Sequence, residues 1–479
     1  KGRIIFASEL KALLADRSMP RDIDPTALDC YLSFGYVPSP LSILKAVRKL
    51  PPAHYAIHKE SGLFIRQYWH LDMEHTDSIR SEQETLDELI LLFDEAVRLR
   101  LISDVPLGAF LSGGIDSSAV VACMAQLKGD ESVKTASIGF SDKNFDELAY
   151  ARIVANFYRT DHTEYVVNPD ALKVIDDIVW HLDEPFADSS AIPTYYVSKM
   201  AREKVKVALS GDGGDETFAG YVHRYYMNRV EDNIRKKIPR PLREKVLRPV
   251  SRFYPRADFL PRPFRLKTFL SNLSRSFEEA YFRDMSFYFL PEMKEKLYRP
   301  GMYYAVKHFN AYDVLGKHFK TNQNPDVITR VQYADMKTYL PEDILVKVDR
   351  MSMAHSLEVR SPLLDQKLME YVGKLPSTIK LKGNTSKYIL KKAMEHRLPS
   401  SLLYRKKQGF SIPLSSWLRG ELRSLAEETL FSHGSILRDY LELPYIRKLW
   451  QRHLAGMQDY STPLWGLMML DLWHKKFMS

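Results

Sequence analysis

The spacing of apolar residues changes along this chain, and each change predicts a different kind of element. Up to about residue 72, short β-like runs such as Tyr55-Ala56-Ile57-His58 and Phe64-Ile65-Arg66-Gln67-Tyr68-Trp69 alternate with turn formers, among them Pro38-Ser39-Pro40 and Pro51-Pro52. This stretch is too short and too interrupted to hold a core of its own. Residues 71–80 are mostly polar and aperiodic, which predicts a linker. Ser81-Glu82-Gln83-Glu84 then has the spacing of a capping box, and Leu86, Leu89, Ile90, Phe93, Ala96 and Val97 follow on one helical face. Beyond it, strand-like runs at 105–111, 135–140, 163–167 and 205–209 alternate with helix-like segments at 116–127, 145–157 and 170–181. Alternation of this kind predicts parallel strands joined by helices, an α/β sheet. From about residue 225 onward the pattern is mainly helical.

Composition narrows the class. The chain has 479 residues, enough for two or three domains, with 45% hydrophobic and 27% charged residues, as in a soluble globular protein. Lys plus Arg exceed Asp plus Glu by 69 to 60, a balance suited to an anionic substrate such as a nucleotide. The basic stretch from Arg235 to Arg252 reads as a solvated helix or connector. Two cysteines, Cys30 and Cys123, give neither a disulfide framework nor metal-ligand spacing, and a reducing cytoplasmic setting is expected. No apolar run reaches the length of a membrane span. The chain opens on Lys1 and enters a strand-like run, Arg3-Ile4-Ile5-Phe6-Ala7, which reads as the interior of a protein.

Two loops carry the candidate chemistry. Phe110-Leu111-Ser112-Gly113-Gly114-Ile115-Asp116-Ser117-Ser118 falls where strand 105–111 gives way to helix 116–127. Its glycines let successive amides point at one anion, the helix N-terminus adds partial positive charge, and the serines add hydroxyls. A carboxylate among phosphates, Asp116, is best read as a holder of Mg²⁺. The loop matches neither the Walker pattern nor the dinucleotide G-x-G-x-x-G, so it reads as specialised for pyrophosphate. Ser210-Gly211-Asp212-Gly213-Gly214-Asp215-Glu216 follows strand 205–209 at the same edge of the sheet, where Asp215 could share the metal with Asp116.

The first loop resembles the pyrophosphate-binding motif of the N-type ATP pyrophosphatases, which split ATP between the α and β phosphates. The second resembles the SGEGSDE loop of asparagine synthetases, with Asp212 where Glu is common and Gly214 where Ser is common. Asp349-Arg350-Met351-Ser352-Met353-Ala354-His355-Ser356-Leu357-Glu358-Val359-Arg360-Ser361-Pro362-Leu363-Leu364-Asp365, by itself a helix with buried methionines and an exit loop, is similar to a long signature of that family. Arg405-Lys406-Lys407-Gln408-Gly409-Phe410 matches as well. Phe145-Asp146-Glu147 and Asp183-Glu184-Pro185-Phe186 fit family positions that line the crevice. Residues 1–72 resemble the closing part of an N-terminal-nucleophile glutaminase domain, through Ala7-Ser8-Glu9-Leu10-Lys11-Ala12-Leu13-Leu14 and Lys49-Leu50-Pro51-Pro52-Ala53-His54.

The resemblance implies an α/β fold of the ATP pyrophosphatase (adenine nucleotide α-hydrolase-like) type over residues 73–479, with a helical C-terminal part. It implies ATP and Mg²⁺ as cofactors, and aspartate and glutamine-derived ammonia as small-molecule partners. Aspartate would be activated as β-aspartyl-AMP, with release of pyrophosphate, and ammonia would then displace AMP. Ser112, Gly113, Gly114, Asp116 and Ser117 would hold pyrophosphate, and Asp116 with Asp215 the metal. Groups around Leu111, Ile138, Ser210 and Gly211 would meet the nucleotide. Lys407, Asp212 and Glu358 would serve the chemical steps. The glutaminase nucleophile of such enzymes is an N-terminal cysteine, which neither Cys30 nor Cys123 matches, so both are expected to be packing residues. The missing glutaminase portion is the expected protein partner, a homodimer fits the picture, and neither nucleic acid nor membrane is expected. Tyr254-Pro255-Arg256-Ala257-Asp258-Phe259 and Ala191-Ile192-Pro193-Thr194-Tyr195-Tyr196 resemble a related group of amidotransferases from exosortase and exopolysaccharide systems, whose acceptor is another carboxylate. An RNA-modifying enzyme using the same adenylation, or a silent scaffold, are the more distant readings.

Overall fold

The computed structural model describes residues 4–74, 81–140, 148–167, 171–254, 266–405 and 412–478. Seven strands occur among them. β1 (His54–Lys59) and β2 (Gly62–Gln67) form an antiparallel hairpin. β3 (Leu107–Phe110), β4 (Lys134–Phe140), β5 (Asp161–Val167), β6 (Val207–Leu209) and β7 (Glu358–Arg360) form one all-parallel sheet in the order β5-β4-β3-β6-β7. The helices that position the site are α1 (Pro25–Phe34), α2 (Glu82–Arg100), α3 (Ile115–Lys128), α4 (Leu148–Tyr158), α5 (Ala171–Leu182), α6 (Ala191–Ala201), α7 (Gly214–Thr217), α8 (Leu345–Met353), α9 (Tyr388–Ala393) and α10 (Ser461–Phe477).

The central strands are apolar on both faces because both faces are covered. Leu209 packs with Phe93 and Val97 of α2, Val120 and Val121 of α3 and Val154 of α4. Its neighbour Ala208 points the other way, towards Ala201 of α6 and Leu357, as the two-residue period of a strand requires. The capping box opens α2 as expected: Ser81 Oγ accepts from the Glu84 amide and the Glu84 side chain reaches back to the Ser81 N–H.

The N-terminal stretch holds its expected β-runs as β1 and β2, and adds helix that a β-rich reading did not include. α1 opens on Asp24, whose carboxylate accepts from the Thr26 amide, and Leu28, Tyr31 and Phe34 join the largest hydrophobic cluster with Trp465 and Trp473 of α10. Asp183 and Glu184 fasten this stretch to the rest of the chain. Asp183 accepts from the Lys11 amide at 2.6 Å and from that of Leu10, and Glu184 accepts from Ser42, from the Ile43 amide and from Lys49 at 2.6 Å. Leu71 and Met73, within the expected linker, are buried against Tyr333, Met336, Leu340 and Met369. Residues 4–7 are exposed and, among the described residues, pair with no strand. In the signature helix α8, Met351 is buried as expected, whereas Met353 is 54% exposed. Among the described residues no helix is long and apolar enough to cross a membrane.

Candidate active site

The sheet order places β4 and β5 on one side of β3 and β6 and β7 on the other, so the connections diverge between β3 and β6. Such a switch point opens a crevice at the carboxyl ends of the strands, the usual ligand position in an open α/β sheet. Leu107, Gly108 and Ala109 pair with Val207, Ala208 and Leu209, so the two glycine loops that follow emerge side by side.

The first loop is held by its own hydroxyls. Ser112 and Ser117 Oγ lie 2.9 Å apart, the Ser112 N–H donates to Ser117 Oγ at 3.2 Å, and the Gly114 N–H donates to Ser112 Oγ at 3.3 Å. Gly114 is the N-cap of α3 and no side chain caps it, so the first turn starts without a side-chain cap, the kind of helix start that takes an anion. Leu111 is buried, with its carbonyl accepting from Ser137 Oγ, and Ile138 is half-buried one residue further along β4. Arg405 closes the outer side: Nη2 donates to the Gly113 carbonyl at 3.0 Å and the guanidinium lies 4.0 Å over the Tyr150 ring.

The second loop presses directly on the first. A Cβ at Gly211 would lie 2.6 Å from the Ser117 nitrogen and 2.7 Å from Asp116 Cβ, and one at Gly214 would lie 2.7 Å from Asp116 Cγ. Only glycine permits that approach. It brings Asp116, in the first turn of α3, beside Asp215, in the first turn of α7. The ammonium of Lys387 sits between them, 2.7 Å from Asp215 Oδ1 and in contact with Asp116 Oδ2, with its side chain 2% exposed. Burial works against the Lys387 charge, but the two carboxylates outweigh it and hold its pKa above the ordinary lysine range. Two carboxylates and one ammonium leave one net negative charge. Mg²⁺ is commonly held by one or two carboxylates plus substrate phosphates, and no cluster of three or more His, Cys, Asp or Glu metal ligands occurs among the described residues. A pair of carboxylates already gathered round a cation suits a metal that arrives with polyphosphate.

Asp212 lies in the same loop, half-buried. Burial raises its pKa, the Ser210 hydroxyl and the charge of Lys347 oppose the rise, and Asp116 and Asp215 add to it. Lys347, from α8, is itself buried and donates to Asp188 at 2.6 Å and to Ser190 Oγ at 2.8 Å. Ser210 is buried, with Oγ 3.1 Å from Ser361 Oγ.

The structure thus brings together Leu111, Ser112, Gly113, Gly114, Asp116, Ser117, Ser210, Gly211, Asp212 and Asp215, with Ile138 on the adjoining strand. It does not bring Glu358 to them. Glu358 is the first residue of β7, paired with Val207 at the start of β6, so it stands at the amino edge of the sheet, about 10 Å along the strand from the crevice. Its carboxylate accepts from Arg360 Nε at 2.6 Å and its side chain is 56% exposed. Lys407 and Phe145-Asp146-Glu147 lie outside the described residues. Sequence reasoning missed Lys387 and Lys347, two lysines with no local motif to single them out.

Two family models match the chain, asparagine synthase over residues 88–475 and a glutamine amidotransferase domain over residues 1–69. It is 32% identical to asparagine synthetase [glutamine-hydrolyzing] 1 of Bacillus subtilis, over 98% of this chain and 72% of that protein. The chain belongs to the asparagine synthase family. A putative glutamine-hydrolyzing asparagine synthetase of Mycobacterium tuberculosis H37Rv is likewise 32% identical, over 100% of this chain and 72% of its own length. Amidase chyE of Penicillium rubens is 26% identical over 88% of this chain and 66% of its own. Membership makes this chain a carbon–nitrogen ligase of an ATP-dependent amidotransferase family. Both cysteines are buried and unpaired, and burial pushes both thiols well above the ordinary range, so they pack rather than react.

Proposed function

We propose that this crevice activates the β-carboxylate of aspartate with ATP and delivers the acyl-adenylate to ammonia, giving asparagine, AMP and pyrophosphate. The observation that carries the reading is the convergence of Asp116 and Asp215 on one cation at the mouth of two glycine loops. In this assignment Ser112, Gly113, Gly114 and Ser117 hold the departing pyrophosphate through amides and hydroxyls. Leu111, Ile138, Ser210 and Gly211 border the adenosine. Asp116 and Asp215 hold Mg²⁺, which supplies positive charge to the phosphates when bound. Asp212, with its raised pKa, accepts a proton from the attacking nitrogen. Lys407 supplies positive charge at the α-phosphate; its neighbour in the chain, Arg405, is anchored on the phosphate loop. Residues 1–72 are assigned to the end of a glutaminase domain and 73–479 to the synthetase domain, with a cytoplasmic setting.

Pyrophosphate release with Mg-ATP, ammonium and L-aspartate, with the amide identified by mass spectrometry, tests the assignment. Asparagine formation that falls by about 100-fold in Asp116→Ala supports it. ATP binding without turnover of aspartate assigns the acceptor to another carboxylate, such as that of an exopolysaccharide-system substrate; a relative named as an amidase makes that arm worth running.

A further inference from the structure

Lys387 has no place in the chemistry assigned above, yet it occupies the centre of the site. Its backbone is left-handed, at φ 54° and ψ 33°, where it forms the N-cap of α9. That conformation is uncommon outside glycine, asparagine and aspartate, and here it turns the side chain inward. The side chain is 2% exposed, and its ammonium contacts the carboxylates of both Asp116 and Asp215. A cation for these two carboxylates is therefore part of the polypeptide itself.

We propose that Lys387 is a resident counter-ion that makes metal binding conditional on the nucleotide. The inference rests on the assignment of Asp116 and Asp215 as the metal carboxylates. A bare divalent cation must compete with the ammonium for the same oxygens, and the carboxylate pair offers it one net negative charge instead of two. A metal arriving with pyrophosphate or ATP brings its own anionic ligands, and the displaced or shared ammonium gains phosphate oxygens to pair with. Lys387 thus favours the metal–polyphosphate complex over the free metal, and keeps two like charges from facing each other when the crevice is empty.

Mn²⁺ binding to the full chain, followed by electron paramagnetic resonance with and without inorganic pyrophosphate, tests this. Wild type should take up Mn²⁺ at least 10-fold more tightly with pyrophosphate than alone. Lys387→Met and Lys387→Gln should bind Mn²⁺ alone at least 10-fold more tightly than wild type, and bind pyrophosphate with Mn²⁺ more weakly. Tight binding of Mn²⁺ alone to wild type overturns the proposal without any variant, so it stays refutable if the substitutions prevent folding. Asp116→Asn separates the two levels. If that variant loses Mn²⁺–pyrophosphate binding while Lys387→Met binds free Mn²⁺ like wild type, the Lys387 proposal fails alone. If Asp116→Asn binds as wild type, the metal assignment fails and takes the proposal with it.

Discussion

Gly214→Ala isolates the contact between the two loops. Gly214 begins α7 and has no positive φ, so alanine suits its backbone and favours the helix by about 1 kcal/mol. The added methyl, however, would lie 2.7 Å from Asp116 Cγ and 2.9 Å from Leu363 Cδ1. Carbon atoms settle at about 3.5–4.0 Å, so one partner must retreat by roughly 1 Å. Leu363 is fully buried and has little room, which leaves Asp116 to move. Overpacking of this kind costs about 1–3 kcal/mol, partly offset by the helix gain, so the melting temperature should shift by only a few degrees. Misplacing a catalytic group by about 1 Å can cost on the order of 10²-fold in rate. Pyrophosphate release with Mg-ATP, ammonium and aspartate should therefore fall by about 10- to 100-fold while the fold persists. A variant that melts like wild type and works within about twofold of it would show that the position of Asp116 against this loop does not matter to turnover.

Glu358→Gln should leave kcat and KM within about twofold of wild type, because the carboxylate is exposed at the amino edge and pairs only locally with Arg360; a loss above 10-fold would return it to the chemistry. Asp183→Asn should weaken the two amide contacts that hold the helix Leu10–Leu14, costing about 1–3 kcal/mol and opening the N-terminal stretch to limited proteolysis; an unchanged cleavage pattern would refute that tether. Burial, reinforced by Asp284, pushes the Glu231 carboxyl up to about 7. The folded state then holds a proton that the unfolded chain releases above about 4.5, so stability declines as pH rises from about 4.5 through 7. Urea titrations at pH 5 and pH 8 should show wild type losing up to about 3 kcal/mol that Glu231→Gln retains; parallel pH dependence in the two proteins would refute it.

What lay in the sequence was local and periodic. The Ser81 capping box, the strand-to-helix turns at residues 111–116 and 209–214 and the apolar strands between them follow from short-range chemistry, which one stretch of chain carries by itself. The Ser112–Ser117 and Ser210–Glu216 loops were legible because glycines, hydroxyls and acids within seven residues of one another have few other uses after a strand. What only the tertiary structure decided depends on partners distant in the chain. α1 was hidden because it is buried nearly all round, so Leu28, Tyr31 and Phe34 share the helix with buried Asp29 and Ser33 and leave no clean apolar stripe. Three-residue β7 exists only because β6 lies beside it, and that register sends Glu358 to the amino edge, whereas the resemblance gave it a part in the chemical steps. Lys387 is 271 residues from Asp116 and is recognisable as a site residue only once α9 folds against both loops. Coulomb attraction acts through space, and the chain must close before the ammonium can find its carboxylates.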